Sequence, residues 1–172
     1  MNPLGREYGD EQSARGTETT KSSTLAQATR WHRARRAQVL VVVALGLGGV
    51  AGALSRYFIS LAMPTVDGRF PWGTFVINVT GSAALGFLLI LVIEQFPSGR
   101  LARPVLGTGF LGAYTTFSTF MVEAVNLVRA GRTLIAVAYL VASAVVGLLA
   151  MWAGITAARF AIRFERWLQE EA

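Results

Sequence analysis

Gly109-Phe110-Leu111-Gly112-Ala113-Tyr114-Thr115-Thr116-Phe117-Ser118-Thr119-Phe120 sets two glycines and four small hydroxyl side chains inside an uncharged run from Pro104 to Val122. A helix that only crosses lipid has no use for such polar density, and glycine lowers its helix propensity. Thr115 and Thr116 can bond back to carbonyls of the preceding turn, which competes with the helical ladder. Backbone freed at membrane depth is tolerated only where protein, water or a bound group satisfies it. The spacing therefore predicts a helix interrupted around Gly112 and Thr115-Thr116, beside a route for something polar.

Three further uncharged runs flank this one: Ala37 to Ser55, Phe70 to Ile93 and Thr133 to Ala158. Each approaches or exceeds the roughly 20 residues that cross about 30 Å of hydrocarbon. With 53% hydrophobic and 15% charged residues, the chain is expected to be an all-α membrane protein. It would have four transmembrane helices and a break in the third. No cysteine is present, which excludes disulfides, thiol nucleophiles and thiolate metal sites.

Three regions are expected. Residues 1–36 mix Ser, Thr, Glu, Gln and Arg without apolar periodicity, as a disordered basic N-terminal tail. Residues 37–158 hold the four spans, and residues 159–172 form a short amphipathic helix at the interface. Arg30, Arg33, Arg35, Arg36, Arg100, Arg103, Arg159, Arg163 and Arg166 lie on the side of the termini, against Arg69, Arg129 and Arg132 on the other. The positive-inside rule then puts both termini in the cytoplasm of a multi-pass cell-membrane protein.

Within the spans, candidate functional positions recur on single faces. Gly48, Gly52 and Arg56 are four apart; the glycines fit close helix packing. Arg56 either snorkels to headgroups or sits at a pore mouth. Thr74, Asn78 and Ser82 form a polar, small face, in which Asn78 is either interhelical glue or a double N–H donor. Phe117 and Phe120 project together, as packing or as ring edges carrying partial positive charge. Thr115, Ser118 and Thr119 point elsewhere. Glu123 is either an exposed helix-end carboxylate or a polar member of a pathway. Tyr139, Ser143 and Gly147 make one more polar, small row.

Three separated segments carry a family likeness: Gly48-Gly49-Val50-Ala51-Gly52-Ala53-Leu54-Ser55-Arg56-Tyr57, Gly73-Thr74-Phe75-Val76-Ile77-Asn78-Val79-Thr80-Gly81, and Gly109 to Phe120. Together they resemble the CrcB-type (Fluc) fluoride channels, in order and with suitable spacing. The resemblance implies an antiparallel, dual-topology dimer with two fluoride pores along the subunit interfaces. It implies a fluoride-donating role for Asn78 and pore-lining ring edges at Phe117 and Phe120. It extends to a hydroxyl track of Thr116, Ser118, Thr119, Tyr139 and Ser143. Arg56 would lie near a vestibule. A central sodium ion would be held by backbone carbonyls at Gly112 and Thr115.

The lopsided arginines suggest insertion in one orientation, and pairing with an oppositely oriented paralogue; a homodimer is the alternative. The main competing function is a small four-helix exporter of cationic compounds, which needs an intramembrane carboxylate for proton exchange. The first span has none, and Glu123 lies outside the apolar centre of the third. An enzyme is disfavoured, because His32 sits in the tail and no nucleophile–base pair lies in any span.

Overall fold

Long apolar runs form long helices in the computed structural model, which describes residues 35–36, 38–94 and 103–170. Helix α1 spans Gln38–Ala62 and α2 spans Trp72–Glu94. A π-helical segment, Arg103–Leu111, runs into the single turn α3, Gly112–Tyr114. After a break come α4, Ser118–Arg129, and α5, Thr133–Glu170. Among the described residues there is no strand. Four stretches, Gln38–Ala62, Trp72–Leu91, Pro104–Arg129 and Thr133–Gln169, are long and apolar enough to cross a membrane. The expected fold class of four spans with an interrupted third is what the chain adopts.

The chain divides into two compact units, residues 1–42 and 43–172. The candidate site belongs wholly to the second. Of the basic tail, Arg35 and Arg36 are helical. The rest of that expectation, and the loop position of Arg100, lies outside the described residues.

Turn chemistry closes α4 onto α5. Gly131 takes φ 72°, its N–H donates to the Val128 carbonyl at 2.9 Å, and Arg132 N–H donates to Leu127 at 2.8 Å. This left-handed cap satisfies the last carbonyls of α4 and reverses the chain in three residues.

Close backbone approach explains several glycines. A side chain at Gly154 would collide with the Ala83 carbonyl, and one at Gly86 with that of Met151, so α2 and α5 cross in near contact. A Cβ at Gly48 would stand 2.7 Å from the Val105 carbonyl, and one at Gly52 would overlap that of Phe110. The first-span glycines are thus packing positions, and what they pack on is the backbone of the π-helical segment. Pro104 lacks an N–H, and Gly107 and Gly109 weaken α-helical preference, so this segment has little holding it to the standard winding. Tyr139, Ala136, Ala124 and Leu127 form a buried cluster between α4 and α5, beneath Phe70, Phe75 and Phe120.

One expectation needs correction. The short helix expected over residues 159–172 is not separate over its described part, 159–170: α5 continues without interruption to Glu170, 38 residues in all. Arg159 ends the apolar run but not the helix, because no Gly or Pro follows Gly154. Alanine and arginine propagate helix well.

Candidate functional site

Construction of the site begins with Asn78 on α2. Its Nδ2 donates to the Thr116 carbonyl and its Oδ1 accepts from the Thr116 N–H, both at 3.0 Å. One amide side chain therefore replaces the two backbone partners that Thr116 gives up at the break. Among the described residues the second Nδ2 hydrogen has no acceptor.

The break has a defined geometry. Thr115 turns extended, with φ −77° and ψ 159°, while its hydroxyl bonds the Leu111 carbonyl at 2.9 Å. Thr116 Oγ1 then accepts the Thr119 N–H at 3.2 Å, so its side chain caps α4. Thr116 Oγ1 also meets Ser118 Oγ at 3.3 Å and Thr119 Oγ1 at 3.0 Å. The hydroxyl cluster is therefore Thr116, Ser118 and Thr119; Thr115, expected to share a side with Ser118 and Thr119, turns back to its own helix.

Two carbonyls lose their helical partners here. In an uninterrupted helix the Thr116 N–H would bond Gly112, and the Thr119 N–H would bond Thr115. Those donors go instead to Asn78 Oδ1 and to Thr116 Oγ1. Oxygens freed in this way suit a hard cation. The donor set at Gly112 and Thr115 therefore fits the sodium site that the resemblance implies.

Around the break lies a cavity of about 340 Å³ whose walls include Asn78, Ser82, Gly112, Thr115, Thr116 and Phe117. The amino end of α4 opens beside it, and its dipole favours negative charge there. Phe117 is 75% exposed. Its ring lies 6.1 Å from that of Phe120, and Phe120 lies 4.9 Å from Tyr139.

Tyr139 leads to the feature that sequence reasoning left open. Its hydroxyl donates to Glu123 Oε2 at 2.8 Å. Oε1 accepts from Thr65 at 2.8 Å and from Thr74 at 3.0 Å. Three hydroxyls from the α1–α2 loop, α2 and α5 thus converge on one half-buried carboxylate. Glu123 is a polar hub, not an exposed helix end. Its spacing from Phe120 was visible in the sequence, but partners 58 and 49 residues away were not.

The α5 row continues inward from this hub. Ser143 Oγ is buried without a hydrogen-bond partner among the described residues. One turn further, a Cβ at Gly147 would stand 3.6 Å from Ser82 Oγ, on the cavity wall. Contacts link Asn78, Thr116 and Phe117 at the cavity, through Phe120 and Tyr139, to Glu123; Ser118 and Thr119 join Thr116, and Ser143 lies one turn beyond Tyr139 on α5. Arg56, half-buried on α1, is not among the residues lining that cavity.

Comparison with known proteins agrees with this architecture. The profile described as "CrcB-like protein, Camphor Resistance (CrcB)" matches residues 43–155. A Streptomyces coelicolor protein named fluoride-specific ion channel FluC 1 is 43% identical over 134 residues, 78% of this chain and 85% of that protein. Nocardia farcinica FluC 2, with the same descriptive name, is 46% identical over 121 residues, covering 70% and 86%. The FluC of Hydrogenovibrio crunogenus is 42% identical over 118 residues, covering 68% and 89%. With four membrane-crossing stretches and the matched region spanning most of them, this chain is a multi-pass membrane protein of the CrcB family.

Proposed function

We propose that this chain is the conducting subunit of a fluoride-specific ion channel. Fluoride would leave the cell down its electrochemical gradient, which relieves cytoplasmic fluoride toxicity. The chain is a channel protein and not an enzyme.

The observation that supports this reading is the contiguous set of contacting side chains from the Asn78 cavity through Phe117, Phe120 and Tyr139 to Glu123. Fluoride is small and strongly hydrated, so a pore must replace its water with several donors. Neutral amide and hydroxyl groups, with ring edges between them, do so without a cationic side chain in contact with the ion that would trap it. The cation-exporter reading is disfavoured, because both Glu123 oxygens already accept hydroxyl hydrogens.

Several finer features belong to the same proposal. A sodium ion held by the Gly112 and Thr115 carbonyls would supply a fixed positive field. The exposed Phe117 ring beside a polar cavity is supported as an interface residue, to be covered by a second, oppositely oriented subunit. That partner is either another copy or a paralogue. Arg56 is assigned to a vestibule, and both termini to the cytoplasm. Exposed Arg159, Arg163 and Arg166 on the last turns of α5 support that orientation.

The direct test is efflux from liposomes containing the purified chain, with fluoride compared with chloride. Assembly with and without sodium forms a second arm. Fast fluoride loss with negligible chloride loss is expected; equal rates would refute the assignment.

A further inference from the structure

A second cavity of about 340 Å³ opens beside Glu123 and is lined in part by Thr65, Asp67, Arg69, Glu123, Asn126 and Arg129. The α1–α2 loop and the last turns of α4 form its walls. The Arg132 side chain also borders this loop, 3.7 Å from where a Cβ of Gly68 would stand. In the sequence these three arginines served only to orient the chain. The fold gathers them around one opening.

Hydrogen-bonding capacity decides what the opening can hold. The Glu123 oxygens are engaged by Thr65, Thr74 and Tyr139. Among the described residues, neither Arg69 nor Arg129 forms an ion pair with a carboxylate. Unused donors therefore dominate the mouth: two guanidinium groups, with five N–H each, and the Asn126 amide. Arg132 adds a third positive charge against Asp67 and Glu123. A low-dielectric wall beneath the cluster concentrates its field on an approaching anion.

Resting on the fluoride-channel reading, we propose that this cavity is a second anion site, in which Arg69 and Arg129 collect a small inorganic anion before the hydroxyls around Glu123. The residues act by concentrating the ion at the mouth; discrimination among anions belongs to the route beyond. Collection by exposed charge weakens as salt rises, since the screening length falls from about 30 Å at 0.01 M to about 3 Å at 1 M.

The experiment is fluoride efflux from liposomes, run at low and high ionic strength, on the full chain and on the double variant Arg69→Gln with Arg129→Gln. The proposal expects flux about threefold below wild type near 10 mM ionic strength, with the difference gone near 1 M. The double variant Arg69→Lys with Arg129→Lys keeps the charges and should retain most of the low-salt flux. Arg163→Gln removes one charge at the far end of α5 and should change nothing. Unchanged low-salt flux in the double Gln variant would overturn the proposal. So would a loss equal at both ionic strengths, which marks a structural defect. Absence of fluoride efflux from the wild type would instead overturn the channel reading on which this one rests.

Discussion

Asn78 holds the backbone of another helix with both ends of one amide, at 3.0 Å each. Asn78→Asp keeps the acceptor but replaces the donor with a second oxygen facing the Thr116 carbonyl. Leaving that carbonyl unpaired costs about 1–3 kcal/mol, and the like dipoles add to it. Fluoride efflux should fall to background and the detergent melting temperature should drop. A variant that melts lower but conducts normally would make Asn78 a clamp on the break and nothing more. Phe117 separates the two effects differently, since its ring is 75% exposed in the single subunit. Phe117→Ile should abolish efflux while leaving subunit stability unchanged, because shape is roughly kept and the ring edge is lost. Wild-type flux in that variant would take Phe117 off the route.

At the scale of elements, the interruption of the third span was legible because its cause is local. Gly112, Thr115 and Thr116 disfavour continuous helix by their own chemistry. The π-helical winding of Arg103–Leu111 was not legible, since it is shaped by contact with the α1 backbone near Leu45, Gly48 and Gly52. Glu123 was ambiguous for the same reason: its partners come from three elements remote in sequence. The end of α5 was misplaced because the apolar run stops at Ala158, whereas the good helix formers that follow, Arg159, Ala161, Arg163, Glu165 and Arg166 among them, let the helix continue.

Glycine substitutions test the packing directly. Gly81→Val would drive a side chain into Thr115 Cγ2 and against the Tyr114 ring. A loss of about 1–3 kcal/mol in stability is expected, seen as a lower melting temperature and reduced yield. Gly46→Ala meets nothing within 4 Å. It should be neutral, or stabilising by up to about 1 kcal/mol through helix propensity. Equal effects of the two substitutions would contradict the packing described at the break.

For the whole molecule, the arginine distribution and the exposed Phe117 face raise the question of what the second subunit is. A fluoride-sensitive cell with no other channel gene provides the measurement. If the chain inserts in one orientation only, its gene alone should fail to restore growth in fluoride, and co-expression of a paralogue should restore it. Full rescue by the single gene would establish a homodimer of both orientations. Liposomes assembled without sodium should show reduced fluoride flux if the Gly112 and Thr115 carbonyls hold that ion; unaltered flux would remove sodium from the assembly.

Finally, 38 helical residues amount to about 57 Å, of which about 30 Å suffices for the hydrocarbon. The uncharged stretch Thr133–Ala158 takes about 39 Å of that, so Arg159–Glu170 adds about 18 Å of continuous helix beyond it. A fluorophore attached near Glu170 would be held rigidly to the fourth span instead of drifting on a slack tether. Energy transfer to a dye confined to one leaflet would then report, vesicle by vesicle, which way each subunit faces.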